Sequence, residues 1–242
     1  MMYLNERIDD LQRGGLRVIQ RADAFRFGTD AVLLADFAAP RRHDRVCDLG
    51  TGTGIIPLLL YARENTISAD AVEIQPDMAD MAARSMAMNG LNEKIRVLPG
   101  DLRSIRTLLP HARYDLVTCN PPYGKAGGTL LNPDASKRLA RHEESCAIED
   151  VACAAAWLLQ NGGRLCCVFP AARMIELSDA MRKYRMAPKR IRMVHSRVEK
   201  AALLCLMEGM LDARPGLIIE PPLVIYDENN AYTPELRRIY GL

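Results

Sequence analysis

The sequence predicts an α/β protein with helices on both faces of a mostly parallel sheet. From about residue 45, short β-branched or apolar runs alternate with longer helical patterns, as in repeated βαβ units. A glycine-rich segment directly follows the first run, where α/β folds place their ligand-binding turn. Of the 242 residues, 49% are hydrophobic and 26% are charged, which is typical of a folded globular protein.

The individual elements follow from the apolar runs and the residues that end them. We predict seven core strands at residues 46–49, 69–74, 95–98, 114–119, 164–169, 191–195 and 202–208. Helices are predicted at residues 56–63, 77–89, 149–160 and 174–184. Gly90 is expected to end the second of these helices, and Asn161, Gly162 and Gly163 to end the third.

Two flanks surround the seven-strand core. Residues 16–20 resemble a short strand and residues 30–38 a helix, so residues 1–40 are predicted to form an N-terminal hairpin and helix extension. Residues 41–242 are predicted to form the main domain. Its last strand, at residues 217–226, carries Pro221 and Pro222 and is therefore expected at an edge of the sheet.

Composition also bounds the cellular setting and the ligands. Seven cysteines without a CxxC pair and four scattered histidines predict reduced thiols and no bound metal. The longest apolar runs are far shorter than the ~20 residues of a membrane-spanning helix. The first fifteen residues mix acids with arginines and do not resemble a secretory signal. We therefore expect a cytoplasmic protein with no membrane partner.

The glycine-rich segment is the first candidate binding site. Asp48 precedes a turn that contains Gly50, Thr51, Gly52 and Gly54, in which missing Cβ atoms allow close approach of the backbone to a ligand. This pattern predicts a nucleotide-like cofactor. The alternative is a tight strand-to-helix turn without a ligand.

Two carboxylates lie near the ends of the next two predicted strands, Glu73 at the end of the second and Asp101 after the third. Glu73 stands where an acid would accept hydrogen bonds from a ribose diol. Asp101 stands where it could accept from an exocyclic amine, with the Leu102 amide as a second contact. The alternatives are an ordinary helix-leading carboxylate for Glu73 and a helix N-cap for Asp101.

The most specific motif is Asn120-Pro121-Pro122-Tyr123, directly after the fourth predicted strand. Two prolines hold the preceding backbone extended, so the Asn120 amide and the Pro121 carbonyl form a rigid pair of acceptors. Such a pair suits an amino group with two protons, and Tyr123 offers a stacking face for a flipped base. The alternative is a proline turn that merely ends a strand.

These motifs together resemble the class I S-adenosylmethionine-dependent methyltransferases. More narrowly, the chain is similar to the small-domain methyltransferases related to the tRNA(Val) adenine N6-methyltransferase. The similarity runs through residues 25–31, 48–54, 120–123, 140–143, 188–192 and 221–227. It implies a Rossmann-like sheet of strand order 3-2-1-4-5-7-6 in which strand 7 is antiparallel.

The resemblance also implies roles for individual residues. Asn120, Pro121 and Tyr123 would handle the target base, Glu73 the ribose and Asp101 the adenine of the cofactor. Gly28 and Thr29 would close over its methionine end. The full set expected to bind S-adenosylmethionine is Gly28, Thr29, Asp48, Gly50, Thr51, Gly52, Gly54, Glu73, Ile74, Asp101, Leu102 and Asn120.

Basic residues predict contact with RNA. Residues 182–200 contain eight lysines and arginines and one acid, and residues 124–141 could form a lid. The residues expected to contact RNA are Lys125, Lys137, Arg138, Arg141, Lys189, Arg190 and Arg192. In both segments the alternative is a solvated surface.

The sequence therefore predicts an enzyme that methylates N6 of an adenine in structured RNA, with tRNA as the leading candidate. A protein glutamine presents the same amide geometry, but such enzymes usually carry a helical domain ahead of the core, and only about forty residues precede it here. Methylation of guanine N2 in ribosomal RNA is a further alternative. A non-enzymatic nucleotide- or RNA-binding module is the alternative from another class.

Overall fold

The computed structural model describes residues 5–21, 28–121 and 147–242. The strands in these ranges are β1 (Glu6–Asp10), β2 (Arg17–Arg21), β3 (Arg45–Leu49), β4 (Ser68–Glu73), β5 (Ile95–Pro99), β6 (Tyr114–Cys119), β7 (Leu159–Pro170), β8 (Met186–His195), β9 (Ala202–Leu211), β10 (Ile218–Ile219) and β11 (Leu223–Val224). The helices are α1 (Thr29–Ala38), α2 (Ile55–Arg63), α3 (Pro76–Met88), α4 (Ile105–Leu108), α5 (Ile148–Leu158), α6 (Met174–Lys183) and α7 (Pro234–Tyr240). Short 3₁₀ turns precede α4 and α6.

The central sheet has the predicted topology. Its seven core strands lie in the order β5-β4-β3-β6-β7-β9-β8. Strand β9 is antiparallel to both β7 and β8, and the other neighbouring core strands are parallel. The Rossmann-like order 3-2-1-4-5-7-6 with an antiparallel seventh strand is therefore confirmed. Strands β10 and β11 pair with β8 and form the outer edge.

Buried side chains on the two faces of the sheet form two separate cores. Along β6, Leu116 belongs to the core under α1, α2 and α7, and Val117 belongs to the core under α4, α5 and α6. Successive residues of a strand point to opposite faces, so a strand covered on both faces carries a continuous apolar run. This explains why the core strands lack polar alternation.

The boundary between α5 and β7 differs from the prediction. The helix ends at Leu158, and β7 begins at Leu159 rather than at residue 164. Leu159 pairs with Tyr114, and the register then shifts before Arg164 pairs with Leu116. Gly162 and Gly163, which were expected to end the helix, instead lie in this irregular start of the strand. A Cβ at Gly163 would lie 3.0 Å from the Tyr114 carbonyl oxygen.

The N-terminal hairpin is fastened to α3 by polar contacts. The Ile19 amide donates to Ser85 Oγ at 2.9 Å, and Arg84 forms an ion pair with Glu6 at 2.5 Å. Helix α1 contributes fully buried Leu34 to the main core. The division of the chain near residue 40 stays a prediction.

Candidate active site

The carboxyl ends of β3, β4, β5 and β6 lie side by side at one edge of the sheet. Leu49 of β3 pairs with Val72 on one side and with Cys119 on the other. The glycine turn therefore begins next to Asn120, and the chain after Glu73 leaves β4 at the same edge. This is the crevice in which open α/β sheets bind their ligands.

Backbone hydrogen bonds shape the glycine turn. The Gly50 and Thr51 amides donate to the Val72 carbonyl at 2.9 and 3.0 Å, and Gly50 and Gly52 have φ of +69° and +58°. A Cβ on Gly50 or Gly52 would meet no atom within 4 Å, so these two residues border open space. At Gly54 a Cβ would lie 2.5 Å from Met86 Cε. Gly54 therefore serves the packing of α3, and the other two leave room for a ligand.

Glu73 holds this turn in place. Its carboxylate is buried and accepts from the Gly52 amide and from the Gln75 amide, each at 2.8 Å. Each carboxylate oxygen has two acceptor sites, so these bonds leave capacity for a diol. Ile74 follows directly and is 48% exposed, which provides an apolar surface beside the carboxylate. The ribose role of Glu73 stays a prediction.

Asp48 and Thr118 form a buried polar pair across β3 and β6. They are register partners, both are fully buried, and Thr118 Oγ1 donates to Asp48 Oδ1 at 2.6 Å. Burial raises the pKa of Asp48 to about 7, and the hydrogen bond from Thr118 opposes that rise. Sequence reasoning missed Thr118, whose signal is a hydroxyl in the buried apolar run that ends at Cys119.

Two buried polar atoms at this site lack hydrogen-bond partners in the described part of the chain, although the Thr51 hydroxyl is near enough to Asp48 to lower the pKa of that carboxyl. They are Asp48 Oδ2 and Thr51 Oγ1. Buried polar groups normally form hydrogen bonds. An unpaired carboxylate oxygen and an unpaired hydroxyl beside the glycine turn are therefore suited to a ligand that carries hydrogen-bond donors. The amino group of a methionine moiety is such a donor. The residues present therefore fit S-adenosylmethionine.

Asp101 is engaged within its own turn. Its carboxylate accepts from the Arg103 amide at 2.9 Å and forms an ion pair with the Arg103 guanidinium at 2.5 Å. The guanidinium lowers the pKa of Asp101. The helix-cap alternative is thus what the structure describes, with Leu102 as the first residue of the capped turn. Contact with a cofactor adenine stays a prediction.

The other predicted site residues fall into two groups. Asn120 is half-buried and Pro121 is buried, directly after β6. Gly28 is the N-cap of α1, and Thr29 Oγ1 accepts from the Tyr240 hydroxyl at 3.1 Å. Predicted residues that lie outside the described residues are Tyr123, Lys125, Lys137, Arg138 and Arg141.

The predicted RNA-binding residues of β8 make contacts within the chain. Arg190 pairs with Glu220 at 2.7 Å and Glu208 at 3.1 Å, and Arg192 pairs with Glu235 at 2.8 Å. Lys189 Nζ donates to a backbone carbonyl at 3.4 Å. An RNA role for the two arginines stays a prediction, which requires phosphates to share or displace these carboxylates.

The described part of the chain contains no helix that is long and apolar enough to cross a membrane. Within residues 5–21, 28–121 and 147–242, no group of three or more histidine, cysteine, aspartate or glutamate side chains is placed to hold a metal ion.

Known proteins resemble this chain in sequence. A family model described as "Methyltransferase small domain" matches residues 22–190. The tRNA1(Val) (adenine(37)-N6)-methyltransferase of Porphyromonas gingivalis is 32% identical over 231 residues, which cover 91% of this chain and 89% of that protein. The protein of the same name from Tolumonas auensis is 32% identical over 216 residues, which cover 88% and 86%.

Solved structures share the fold. A predicted O-methyltransferase from Agrobacterium tumefaciens has a TM-score of 0.73 and 24% identity, and the match covers 88% of this chain and 96% of that one. A SAM-dependent methyltransferase from Aquifex aeolicus has a TM-score of 0.53 and 15% identity, with 74% and 87% covered. At these identities the likeness extends to the fold alone.

Proposed function

The chain belongs to the methyltransferase small-domain family, and on that premise we propose that it uses S-adenosylmethionine to methylate N6 of an adenine in tRNA. The observation that carries this proposal is the adjacency of β3 and β6, which brings Asn120 and Pro121 beside the glycine turn. The relatives named as adenine N6-methyltransferases of tRNA match this chain along nearly its whole length. That match favours adenine in tRNA over guanine in ribosomal RNA, a protein glutamine or a non-enzymatic module.

When bound, S-adenosylmethionine supplies a methyl group already activated by its sulfonium. The backbone beside Gly50 and Gly52 receives it, and Asp48 and Thr51 provide acceptors for its amino group. Glu73 would accept from the ribose, and the exposed Ile74 would cover one face of the adenine. Asp101 and the Leu102 amide would contact the adenine edge, and Gly28 and Thr29 the methionine end.

The target adenine is held by the corner after β6. The Asn120 side-chain oxygen and the Pro121 carbonyl accept the two N–H groups of N6, which directs the nitrogen lone pair toward the methyl donor. The N6–CH3 bond would form as the S–CH3 bond of the sulfonium breaks, S-adenosylhomocysteine would leave, and one N6 proton would pass to solvent. A strong base is unnecessary because the donor is an activated electrophile. Tyr123 would stack on the flipped adenine. Positioning therefore supplies most of the acceleration.

The proposed tRNA substrate has two consequences, one for the residues that contact it and one for the location of the enzyme. Lys125, Lys137, Arg138, Arg141, Lys189, Arg190 and Arg192 are proposed to contact the phosphates of the tRNA. A tRNA substrate implies a cytoplasmic enzyme, and we include that location in the proposal.

Asn120→Ala tests the catalytic assignment. We expect methyl transfer to a tRNA transcript to fall by about 100-fold or more, because one of two fixed acceptors is lost. Calorimetry should find the affinity for S-adenosylmethionine largely unchanged. Asn161→Ala, which changes an exposed asparagine near the opposite edge of the sheet, is the matched control. Full activity of Asn120→Ala would reject the assignment.

The class of acceptor is tested with a tritiated methyl donor. Total tRNA, ribosomal RNA and release-factor preparations are offered separately, and labelled products are identified by mass spectrometry. We expect N6-methyladenosine in tRNA. Methylglutamine or N2-methylguanosine as the labelled product would contradict the proposal.

A further inference from the structure

Three tyrosines near the C-terminus stack on one another. The ring of Tyr232 lies 5.6 Å from that of Tyr226 and 5.6 Å from that of Tyr240, with angles of 28° and 14° between the planes. These spacings are those of aromatic stacking. We call Tyr226, Tyr232 and Tyr240 the tyrosine stack.

The outer end of the tyrosine stack lies at the active-site edge of the sheet. Strand β9 is antiparallel to β7 and to β8, so β8 runs in the same direction as β3 and β6. Strand β11 is parallel to β8, with Val224 opposite His195, and the Tyr226 amide donates to the Ser196 carbonyl at 2.9 Å. Tyr226 therefore emerges on the side of the sheet where Asn120 and the glycine turn lie.

The inner end of the stack contacts the start of α1. Tyr240 donates its hydroxyl to Thr29 Oγ1 at 3.1 Å. Helix α1 ends at Ala38, only seven residues before β3 begins at Arg45, so its last residues lie toward the edge where the parallel strands begin. Its first residues accordingly lie toward the opposite edge, where the strands end. The stack thus connects the residues proposed to cover the cofactor with the outer surface.

The Tyr226 ring is available to a ligand. Tyr226 is 36% exposed, one of its faces is against Tyr232, and no second ring contacts it in the described structure. A planar surface fixed on one side by two further rings loses little entropy when a second planar group stacks on it. Nucleobases are such groups, and proteins bind unpaired RNA by stacking bases on aromatic side chains.

Two guanidinium groups beside the stack are without an ion pair in the described ranges. Arg197 donates to the Asp227 carbonyl at 3.0 Å and to the Asn230 side chain. Arg237 donates to the Tyr232 carbonyl at 3.2 Å. Backbone carbonyls hold these groups in place and leave their positive charge uncompensated, which suits phosphates.

Among the described residues, the neighbouring carboxylates form no ion pair with Arg197 or Arg237, and two of them are held by other contacts. Asp227 Oδ1 accepts from the amides of Asn229 and Ala231 at 2.9 Å each, which closes its turn. Glu235 pairs with Arg192 at 2.8 Å. The surface therefore combines an exposed ring with two fixed cations.

We propose that the tyrosine stack binds an unpaired nucleobase of the RNA substrate, at the same edge of the sheet as the base that is methylated. The base stacks on Tyr226, and Arg197 and Arg237 contact the adjoining phosphates. This inference rests on the proposed function and extends it to a second contact point for the RNA. The site is separate from Asn120-Pro121-Pro122-Tyr123, so it affects RNA affinity and leaves the chemical step intact.

Tyr226→Ala and Tyr226→Phe in the full chain test the proposal. We expect Tyr226→Ala to raise the Kd for a tRNA transcript by about tenfold, as loss of one stacked base does. Tyr226→Phe keeps the ring and should bind as the wild type does. For Tyr226→Ala, KM for tRNA should rise while kcat at saturating tRNA and the affinity for S-adenosylmethionine stay unchanged. Tyr184→Ala, at the start of β8 on the opposite edge, is the control.

Each result of these experiments either supports or overturns stacking of an RNA base on Tyr226. If Tyr226→Ala binds tRNA as the wild type does, or if Tyr226→Phe loses as much affinity, stacking is excluded and the proposed function stands. If Tyr226→Ala does not fold, photocrosslinking of wild-type enzyme to 4-thiouridine-substituted tRNA decides: a crosslink on Tyr226 supports the proposal, and crosslinks confined to other surfaces overturn it. A wild-type enzyme that neither binds nor methylates RNA overturns the function and the inference together.

Discussion

At the scale of single residues, the charge of Asp48 is controlled by its surroundings. It is fully buried, Thr118 occupies one of its oxygens, and the other oxygen has no hydrogen-bond partner in the described structure. Burial raises its pKa to about 7, so without a cation beside it the side chain is partly protonated at neutral pH. A bound ammonium group would favour the ionised form.

This environment predicts a specific pH dependence of stability. The unfolded chain ionises Asp48 near pH 4, whereas the folded chain keeps the proton until about pH 7. The contribution of Asp48 to the free energy of unfolding is therefore most favourable below about pH 4. As pH rises from 4 toward 7, the free energy of unfolding of the cofactor-free protein falls. The loss is at most about 4 kcal/mol. Urea denaturation at several pH values measures it.

Asp48→Asn should remove this dependence, because an amide keeps an acceptor for Thr118 but does not ionise. The variant should be more stable than the wild type at pH 8 and should bind S-adenosylmethionine more weakly. Asp179→Asn, which changes an exposed carboxylate on α6, is the matched control. Equal slopes of stability against pH for Asp48→Asn and the wild type would contradict this account of Asp48.

At the scale of elements, the glycine turn separates two uses of the same residue type. Gly54, with φ of +83°, leaves no room for a Cβ beside Met86, whereas Gly52 borders open space. Gly54 allows α3 to pack against the turn, and Gly52 faces the space for the ligand. Substitution of Gly54 should therefore affect mainly stability, and substitution of Gly52 mainly ligand binding.

Gly54→Ala should lower the free energy of unfolding more than Gly52→Ala, by about 1 kcal/mol, because the flexible end of buried Met86 must move and Ala82 Cβ lies only 3.3 Å away. Both variants strain a left-handed backbone position, and only Gly54→Ala adds a clash with α3. Gly90→Ala, at φ of +68° with no atom within 4 Å, gives the backbone cost alone. Gly52→Ala should weaken binding of S-adenosylmethionine. Equal unfolding midpoints for Gly54→Ala and Gly90→Ala would refute the packing role.

How well an element could be predicted depended on whether its boundary is local. Strand β6 was predicted to the residue because a proline pair follows its apolar run. The start of β8 was missed by five residues, since Pro188, Lys189 and Arg190 suggest a loop. In the fold the register shifts between Pro188 and Arg190, and glutamates from other segments pair with Arg190. Those partners cannot be read from local sequence.

At the scale of the whole molecule, one buried ion network joins distant segments. Arg164 of β7 pairs with Glu208 of β9 at 3.2 Å and with Asp44 at 3.4 Å, and it donates to the Ala38 carbonyl at the end of α1. Arg190 of β8 shares Glu208 at 3.1 Å. The Glu208 carboxylate thus joins β7, β8 and β9, and Arg164 links this group to the end of α1.

Glu208→Gln should destabilise the protein by about 2 kcal/mol, because among the described residues Arg164 keeps only Asp44 and Arg190 only Glu220 as a charged partner. Urea denaturation at pH 7 measures the change. Glu176→Gln breaks an exposed pair with Arg173 and should cost less than about 0.5 kcal/mol. A similar midpoint for both variants would show that the network does not stabilise the fold.

The residues of the site also differ in how well their positions can be predicted from local sequence. Asp48, the glycines, Glu73 and Asn120 could be placed at one edge from the sequence, because each lies at the end of a recognisable strand or directly after it. Thr118 and the tyrosine stack could not, because their partners are 70 residues away for Thr118 and 211 residues away for Tyr240. Contacts of that range depend on strand order and register.

The outer border of the sheet bears on how copies of the protein behave at high concentration. Strands β10 and β11 contain two residues each and are separated by Pro221 and Pro222, which lack amide protons. Although Ile218 and Ile219 are exposed there, an incoming chain would find no continuous row of backbone donors with which to extend the sheet. The proline pair thereby protects an open α/β sheet against strand-by-strand aggregation.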